Sequence, residues 1–85
     1  MTLKIEKYSD GYGTTIRLVG RMRAEHLPEL EKQISEGDSK IVLDLEEVNL
    51  VDVEAVRFLG SCEVAGVMLL NCSRYIRSWI GKERD

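Results

Sequence analysis

The 85 residues carry 12 Lys and Arg against 15 Asp and Glu, a net charge of −3, and 44% of them are hydrophobic. A chain of this length buries roughly 60% of the surface it exposes when unfolded, enough for one modest core, so a single domain over residues 1–85 is expected. One proline and a dense supply of Val, Ile and Leu exclude collagen-like, mucin-like and disordered chains. No run approaches the roughly 18 apolar residues of a membrane span, and Met1-Thr2-Leu3-Lys4-Ile5-Glu6 lacks the apolar centre of a signal peptide, so a cytoplasmic location is expected.

Leu3 and Ile5, then Ile16 and Leu18, recur at alternate positions around the turn formers Ser9-Asp10-Gly11-Tyr12-Gly13, which predicts a β-hairpin. After Gly20 the period changes. Ala24, Leu27, Leu30 and Ile34 form one stripe between Glu25, Glu29, Glu31 and Lys32, a helix with Pro28 in its first turn, where a missing N–H costs little. Glu36-Gly37-Asp38-Ser39 should stop it. Ile41-Val42-Leu43-Asp44-Leu45 is apolar on both faces, as a central strand covered on both sides would be, and Val48, Leu50 and Val51 read as a looser connection.

From Val53 the helical spacing returns, with Ala55, Phe58, Leu59 and Cys62 on one face and Gly66 at the end. Val67-Met68-Leu69-Leu70 reads as a fourth strand. Ser73 then caps a short third helix, Arg74 to Ile80, marked by Tyr75, Ile76, Trp79 and Ile80, with residues 81–85 as a charged tail. The order β-β-α-β-α-β-α predicts an α/β fold with a mixed four-stranded sheet, parallel at its centre and joined by right-handed crossovers.

Scattered Lys and Arg offer no basic stripe to neutralise phosphates, which argues against nucleic acid as a partner. The sequence holds no GxxxxGK loop, no GxGxxG after a strand and no HExxH, so neither catalytic residues nor a cofactor are expected. A ligand would otherwise be sought at the strand ends after Leu45 and Leu70. His26, the one histidine, reads as a surface side chain. Asp44, Glu46, Glu47, Asp52 and Glu54 form an acidic run whose oxygens could hold a hard cation, but on a strand and a connection they read as solvated, and no metal is expected. Cys62 and Cys72 fit neither a CxxC motif nor a zinc set and read as reduced thiols inside apolar elements.

The stretch from Ile41 to Val56, with Asp44-Leu45 ending an apolar strand and Val51-Asp52 entering a helix, resembles the central signature of STAS domains, the family of sulfate transporters and anti-sigma factor antagonists. Gly20-Arg21-Met22-Arg23-Ala24-Glu25-His26-Leu27-Pro28-Glu29-Leu30 is similar to the family's Gly-x-Leu-Asp segment, and Val67-Met68-Leu69-Leu70-Asn71-Cys72-Ser73 to its next strand and helix-starting Ser. The resemblance spans residues 3 to 80. It implies a non-catalytic bacterial signalling module that binds an anti-sigma-type or histidine-kinase-like ATPase. A second implied reading is an accessory subunit of a lipid or anion transport system, bound to the transporter ATPase. In antagonists the signature Asp is followed by a Ser or Thr that a partner kinase phosphorylates. Aligning Asp52 with that Asp puts Val53 and Glu54 there, so Glu54 holds the phosphosite-equivalent position without a hydroxyl. Ala55 and Arg57 also stand where small Gly residues are common, and Arg23 replaces the usual Asp before the first helix. STAS domains continue beyond a helix like Arg74 to Ile80 into a further strand and helix; without them, either an open apolar edge or exposed helix faces would invite a homodimer, or Trp79 and Ile80 would fold back and leave a monomer.

Two residues at the start of the second helix also have plain physical readings. Asp52 is placed as its N-cap. Glu54 gains about 0.3–1 kcal/mol from the helix dipole and lies three residues from Arg57, while its single charge is less than the roughly −1.5 to −2 of a phosphoserine. At about 100° per residue the outward strip is Val53, Glu54, Arg57, Gly60, Ser61 and Val64. Valines set among polar groups suit a contact face. The expected partner-binding residues are Val53, Glu54, Arg57, Ser61 and Val64, with Arg57 as anchor.

Overall fold

Alternation of apolar side chains produces two long paired strands, β1 (Leu3–Asp10) and β2 (Gly13–Met22). The computed structural model describes residues 3–36 and 40–84. The hairpin turn is only Gly11 and Tyr12, and the other turn formers are drawn into the strands, with Ser9 opposite Thr14 and Asp10 opposite Gly13. Asp10 Oδ1 closes the turn by accepting from the N–H groups of Tyr12 at 2.7 Å and Gly13 at 3.0 Å. Gly13 is required by its neighbour: a Cβ there would lie 2.7 Å from the Lys40 carbonyl oxygen, which the Thr14 N–H reaches at 2.8 Å.

The predicted first helix begins as a 3₁₀ turn, Ala24–His26, and becomes α-helical as α1 (Leu27–Ser35), with Pro28 in its first turn. Glu36 forms its C-cap, and the rest of the expected stop, residues 37–39, lies outside the described residues.

Strand β3 (Ile41–Val51) is longer than predicted. Val48, Leu50 and Val51 do not lie on a connection, nor do Glu46 and Glu47; all belong to the strand. Its register against β2 shifts twice, from Arg17–Asp44 to Val19–Glu47 and from Gly20–Val48 to Arg21–Leu50, each shift adding one residue to β3. The bulges convert strict alternation into a three-residue spacing, so that Leu45, Val48 and Val51 are all buried with exposed pairs between them. Gly20, at φ 111°, supplies the left-handed backbone beside the second bulge.

Helix α2 (Val53–Val64) ends at Ala65 through Gly66, whose φ is 99°. The Gly66 N–H donates to the Glu63 carbonyl at 3.1 Å and the Val67 N–H to the Cys62 carbonyl at 2.9 Å, a Schellman closure. Strand β4 (Met68–Leu70) follows. Cys72 lies in the connection after it rather than inside an apolar element. Ser73 Oγ then accepts from the Ile76 N–H at 3.2 Å and caps α3 (Arg74–Arg84). The predicted charged tail is therefore helical through Arg84, and Asp85 lies outside the described residues.

The sheet order is β1-β2-β3-β4, antiparallel between β1 and β2 and parallel from β2 to β4. Right-handed crossovers that always step the same way across a sheet leave their helices on one side. Leu30 of the crossover helix α1 and Leu59 of the crossover helix α2 accordingly join Ile16, Leu18, Leu43 and Leu45 in a single core cluster, and Ile76 and Ile80 of α3, which follows the last strand, pack into the same cluster. The expectation that the central strand is covered on both sides is not met. Val42 and Asp44, between the buried residues of β3, are half-exposed, and none of the three helices covers that face. No helix among the described residues is long and apolar enough to cross a membrane.

Candidate protein-interaction surface on the second helix

Asp52, at the C-terminal end of β3, fixes where α2 begins. Its Oδ1 accepts from the Ala55 N–H at 2.9 Å, the N-cap bond predicted from sequence, and its Oδ2 accepts from the Ala24 N–H at 2.9 Å. One carboxylate thus ties the start of α2 to the 3₁₀ turn before α1. Burial pushes its pKa up, but the two backbone donors and the charge of Arg23 outweigh burial and hold it below the ordinary Asp value.

From this anchor α2 presents Glu54, Arg57, Ser61 and Val64 to solvent, Val64 being 72% exposed. The predicted strip needs two corrections. Val53 is half-buried, and Gly60 is buried, as is Val56, because α3 packs along that flank of α2. The two helices are clamped in antiparallel fashion at both ends. Arg77 Nη1 donates to both Glu63 carboxylate oxygens at 2.8 Å, and Arg57 Nε donates to Glu83 Oε1 at 2.9 Å. Glu54 Oε2 lies 3.5 Å from Arg57 Nη1. The sequence reading places Glu83 in the charged tail and so gives it no role. The available signal was that Glu83 stands four residues after Trp79 and seven after Ile76, on the same helical face.

Arg57 and Ser61 form a ridge with a groove on each side. On the α1 side the groove measures about 480 Å³, with Leu27, Ile34, Phe58 and Cys62 on its walls and Glu31 and Glu54 at its rim. On the α3 side a smaller one of about 330 Å³ is lined by Val56, Gly60, Val64 and Ile80. Leu27 and Ile34 read as core in the sequence. They are only partly buried because α1 and α2 stand apart along this line.

The remaining candidates do not converge on one site. Asp44 accepts from the Asn71 amide at 3.1 Å, Glu47 pairs with Arg17 on the open sheet face, Asp52 caps α2, and Glu54 faces Arg57. Among the described residues no group of three or more His, Cys, Asp or Glu side chains could hold a metal ion. His26 is not a plain surface side chain: it is half-buried, and its Nδ1 accepts from the Arg23 N–H at 3.0 Å, which orders the 3₁₀ turn. Cys62 is buried, and burial, with a smaller push from the charge of Glu31, raises its thiol to about 11. Burial also raises the half-buried Cys72 thiol. Both therefore carry little nucleophilic thiolate at neutral pH.

No protein-family model matches this chain, and no curated protein matches it. Exposed apolar walls flanked by fixed charges suit contact with another macromolecule.

Proposed function

We propose that the chain is a non-catalytic protein-interaction module of the STAS type, resembling anti-sigma factor antagonists, and that α2 is its docking face. The observation that carries this reading is the ridge of Arg57 and Ser61 between two apolar-walled grooves, held in place by Glu54 and Glu83. Arg57 is already paired, and Glu31 and Glu54 rim the larger groove. The matching partner surface offers an apolar side chain flanked by basic groups. A histidine-kinase-like ATPase of the anti-sigma type is the proposed partner, in the cytoplasm. The residues engaged are Val53 at the margin and Glu54, Arg57, Ser61 and Val64 on the exposed strip.

Glu54 stands where the resemblance would place a phosphorylatable hydroxyl, so this module is not switched by phosphorylation at that position. Incubation with ATP and the partner kinase should leave residues 52–57 unmodified. Ser61, about two helical turns from Glu54, is the nearest exposed hydroxyl on the strip. Stoichiometric phosphate on Ser61 with altered binding would contradict a permanently unswitched state. The protein itself should hydrolyse neither ATP nor simple esters above background.

Calorimetric titration against a histidine-kinase-like ATPase of the anti-sigma type tests the reading directly. The expected result is saturable binding, weakened roughly tenfold or more by Arg57→Ala at unchanged thermal stability. Binding only to a transporter ATPase would replace it with the accessory-subunit reading, and affinity indifferent to Arg57→Ala would remove α2 as the docking face.

A further inference from the structure

The two edges of the sheet differ in a way that the docking face on α2 does not explain. β1 runs along one edge with Lys4, Glu6, Lys7 and Asp10, and Lys4 pairs with Glu6 at 3.2 Å. Charged side chains of this kind keep an edge strand from pairing with another chain. β4 forms the other edge and has no such protection. It lies within Val64 to Ser73, ten consecutive residues without a charge and the longest uncharged run in the chain. β4 pairs with β3 on one side only, and no strand among the described residues pairs with its outer side. Met68 is 60% exposed and Leu70 43% exposed.

We propose that the chain forms a twofold-symmetric dimer in which β4 pairs antiparallel with β4 of a second copy, joining the two sheets into one. The register makes β4 complementary to itself. With Leu69 at the twofold axis, Met68 stands opposite Leu70 of the partner subunit, and Leu70 opposite Met68 of the partner subunit. Opposed residues in an antiparallel pair have Cβ atoms about 4.5–5.5 Å apart, so these four apolar side chains form one cluster across the open face. Met68 and Leu70 lie on the face of Val42 and Asp44, their partners on β3. The strip carries no charge that would recruit an oppositely charged partner, and none that would repel its own copy.

Pairing of β4 with β1 of another copy is the competing geometry. It would set Met68 and Leu70 against a charged strand, and being head-to-tail it would build rings or filaments rather than a closed dimer. The twofold contact instead closes, and it leaves the charged β1 strands at both outer edges of the joined sheet.

Three paired residues on each side make a small contact, so a dissociation constant between about 1 µM and 1 mM is expected. Sedimentation velocity from about 10 µM to 1 mM covers most of that range. The expected result is a monomer–dimer equilibrium with nothing larger. Met68→Glu and Leu70→Lys alter exposed side chains and should leave the circular dichroism spectrum and thermal midpoint in place, and each should weaken the dimer at least tenfold. Mixing the two variants should restore it, because the carboxylate introduced at position 68 then faces the ammonium introduced at position 70 of the other subunit. Arg57→Ala should leave self-association unchanged, which separates this contact from the face on α2. A chain that stays monomeric throughout would overturn the proposal. So would a dimer indifferent to both substitutions, a mixture that gains nothing, or species that keep growing with concentration.

Discussion

Leu43 and Asp44 are neighbours on β3 and meet opposite environments. Leu43 has no exposed surface and packs in the cluster formed by β2 and the helices, whereas Asp44 is half-exposed and hydrogen-bonds the Asn71 amide. β2 repeats the contrast, with Leu18 buried and Arg17 lying across the open face to Glu47. Removal of apolar surface from water holds the covered face, at about 25 cal/mol per Å². The open face is held by polar pairs that exchange water for each other at little net gain. The fold therefore concentrates its stability on one side of a single sheet.

Truncations on either side of β3 give the most direct way to break that contrast. Leu43→Ala should cost about 2–5 kcal/mol in urea unfolding, because it removes fully buried methyl groups and leaves a cavity. Val42→Ala, one residue away and half-exposed, should cost less than about 1.5 kcal/mol. Equal losses would show that the open face is covered in solution.

Most of the element order was legible because alternation and helical stripes record the covered face. Ile16 and Leu18, Leu43 and Leu45, and Ile76 and Ile80 were all read as apolar positions of their elements, and all are buried. The failures have physical causes. Two bulges put Val48 and Val51 on a three-residue spacing that no simple period describes, so the second half of β3 read as a connection. An apolar Val42 suggested a second covered face, but which side the crossovers take follows from strand order, not from one strand's composition. On α2 the helical period places Glu54, Arg57, Ser61 and Val64 outward, as the structure does, but it also places Val53 and Gly60 there, which are half-buried and buried. A helix wheel has no knowledge of the helix that packs beside it.

Asp52 stands where the strand layer meets the helix layer, and its loss should fall between the two extremes. Asp52→Ala removes the acceptor of two backbone N–H groups, at Ala24 and Ala55, and should cost about 1–2 kcal/mol. The pH dependence has a definite sign. Because the folded carboxyl titrates below its unfolded value of about 3.9, its contribution is complete above that value and is lost as pH falls through the lower folded one. Stability curves of the wild type and Asp52→Ala should run parallel near neutrality and converge in acid. Curves that stay parallel into acid would show that the carboxylate charge contributes nothing.

Two glycines sharpen the contrast with effects of opposite sign. Gly66 closes α2 at φ 99°, so Gly66→Ala should cost about 1 kcal/mol from backbone strain although the space around it is open. Gly81 lies within α3 with open space where a Cβ would stand. Gly81→Ala should stabilise by about 0.5–1 kcal/mol, because the position is helical. A neutral or destabilising result would return this segment to the tail read from sequence.

The smallest effect belongs to the ion pair on the open face. Glu47 holds the Arg17 guanidinium by a hydrogen bond and by charge, and both raise its pKa, with Asp44 and Glu6 adding to the field. The Arg17 and Glu47 side chains are 34% and 49% exposed, so water competes for both. Glu47→Ala should shift the thermal midpoint by about 2 °C or less, and Arg17 keeps two other carboxylates nearby. Whatever shift remains should shrink in about 1 M salt, where the screening length falls from about 8 Å to about 3 Å. A larger, salt-insensitive loss would mean that the pair is shielded from solvent. Since none of the described helices covers this face, the shield would have to come from another chain. Repeating the measurement in the Leu70→Lys background would then show whether the β4 contact supplies it, because breaking that contact would restore the small, salt-sensitive response.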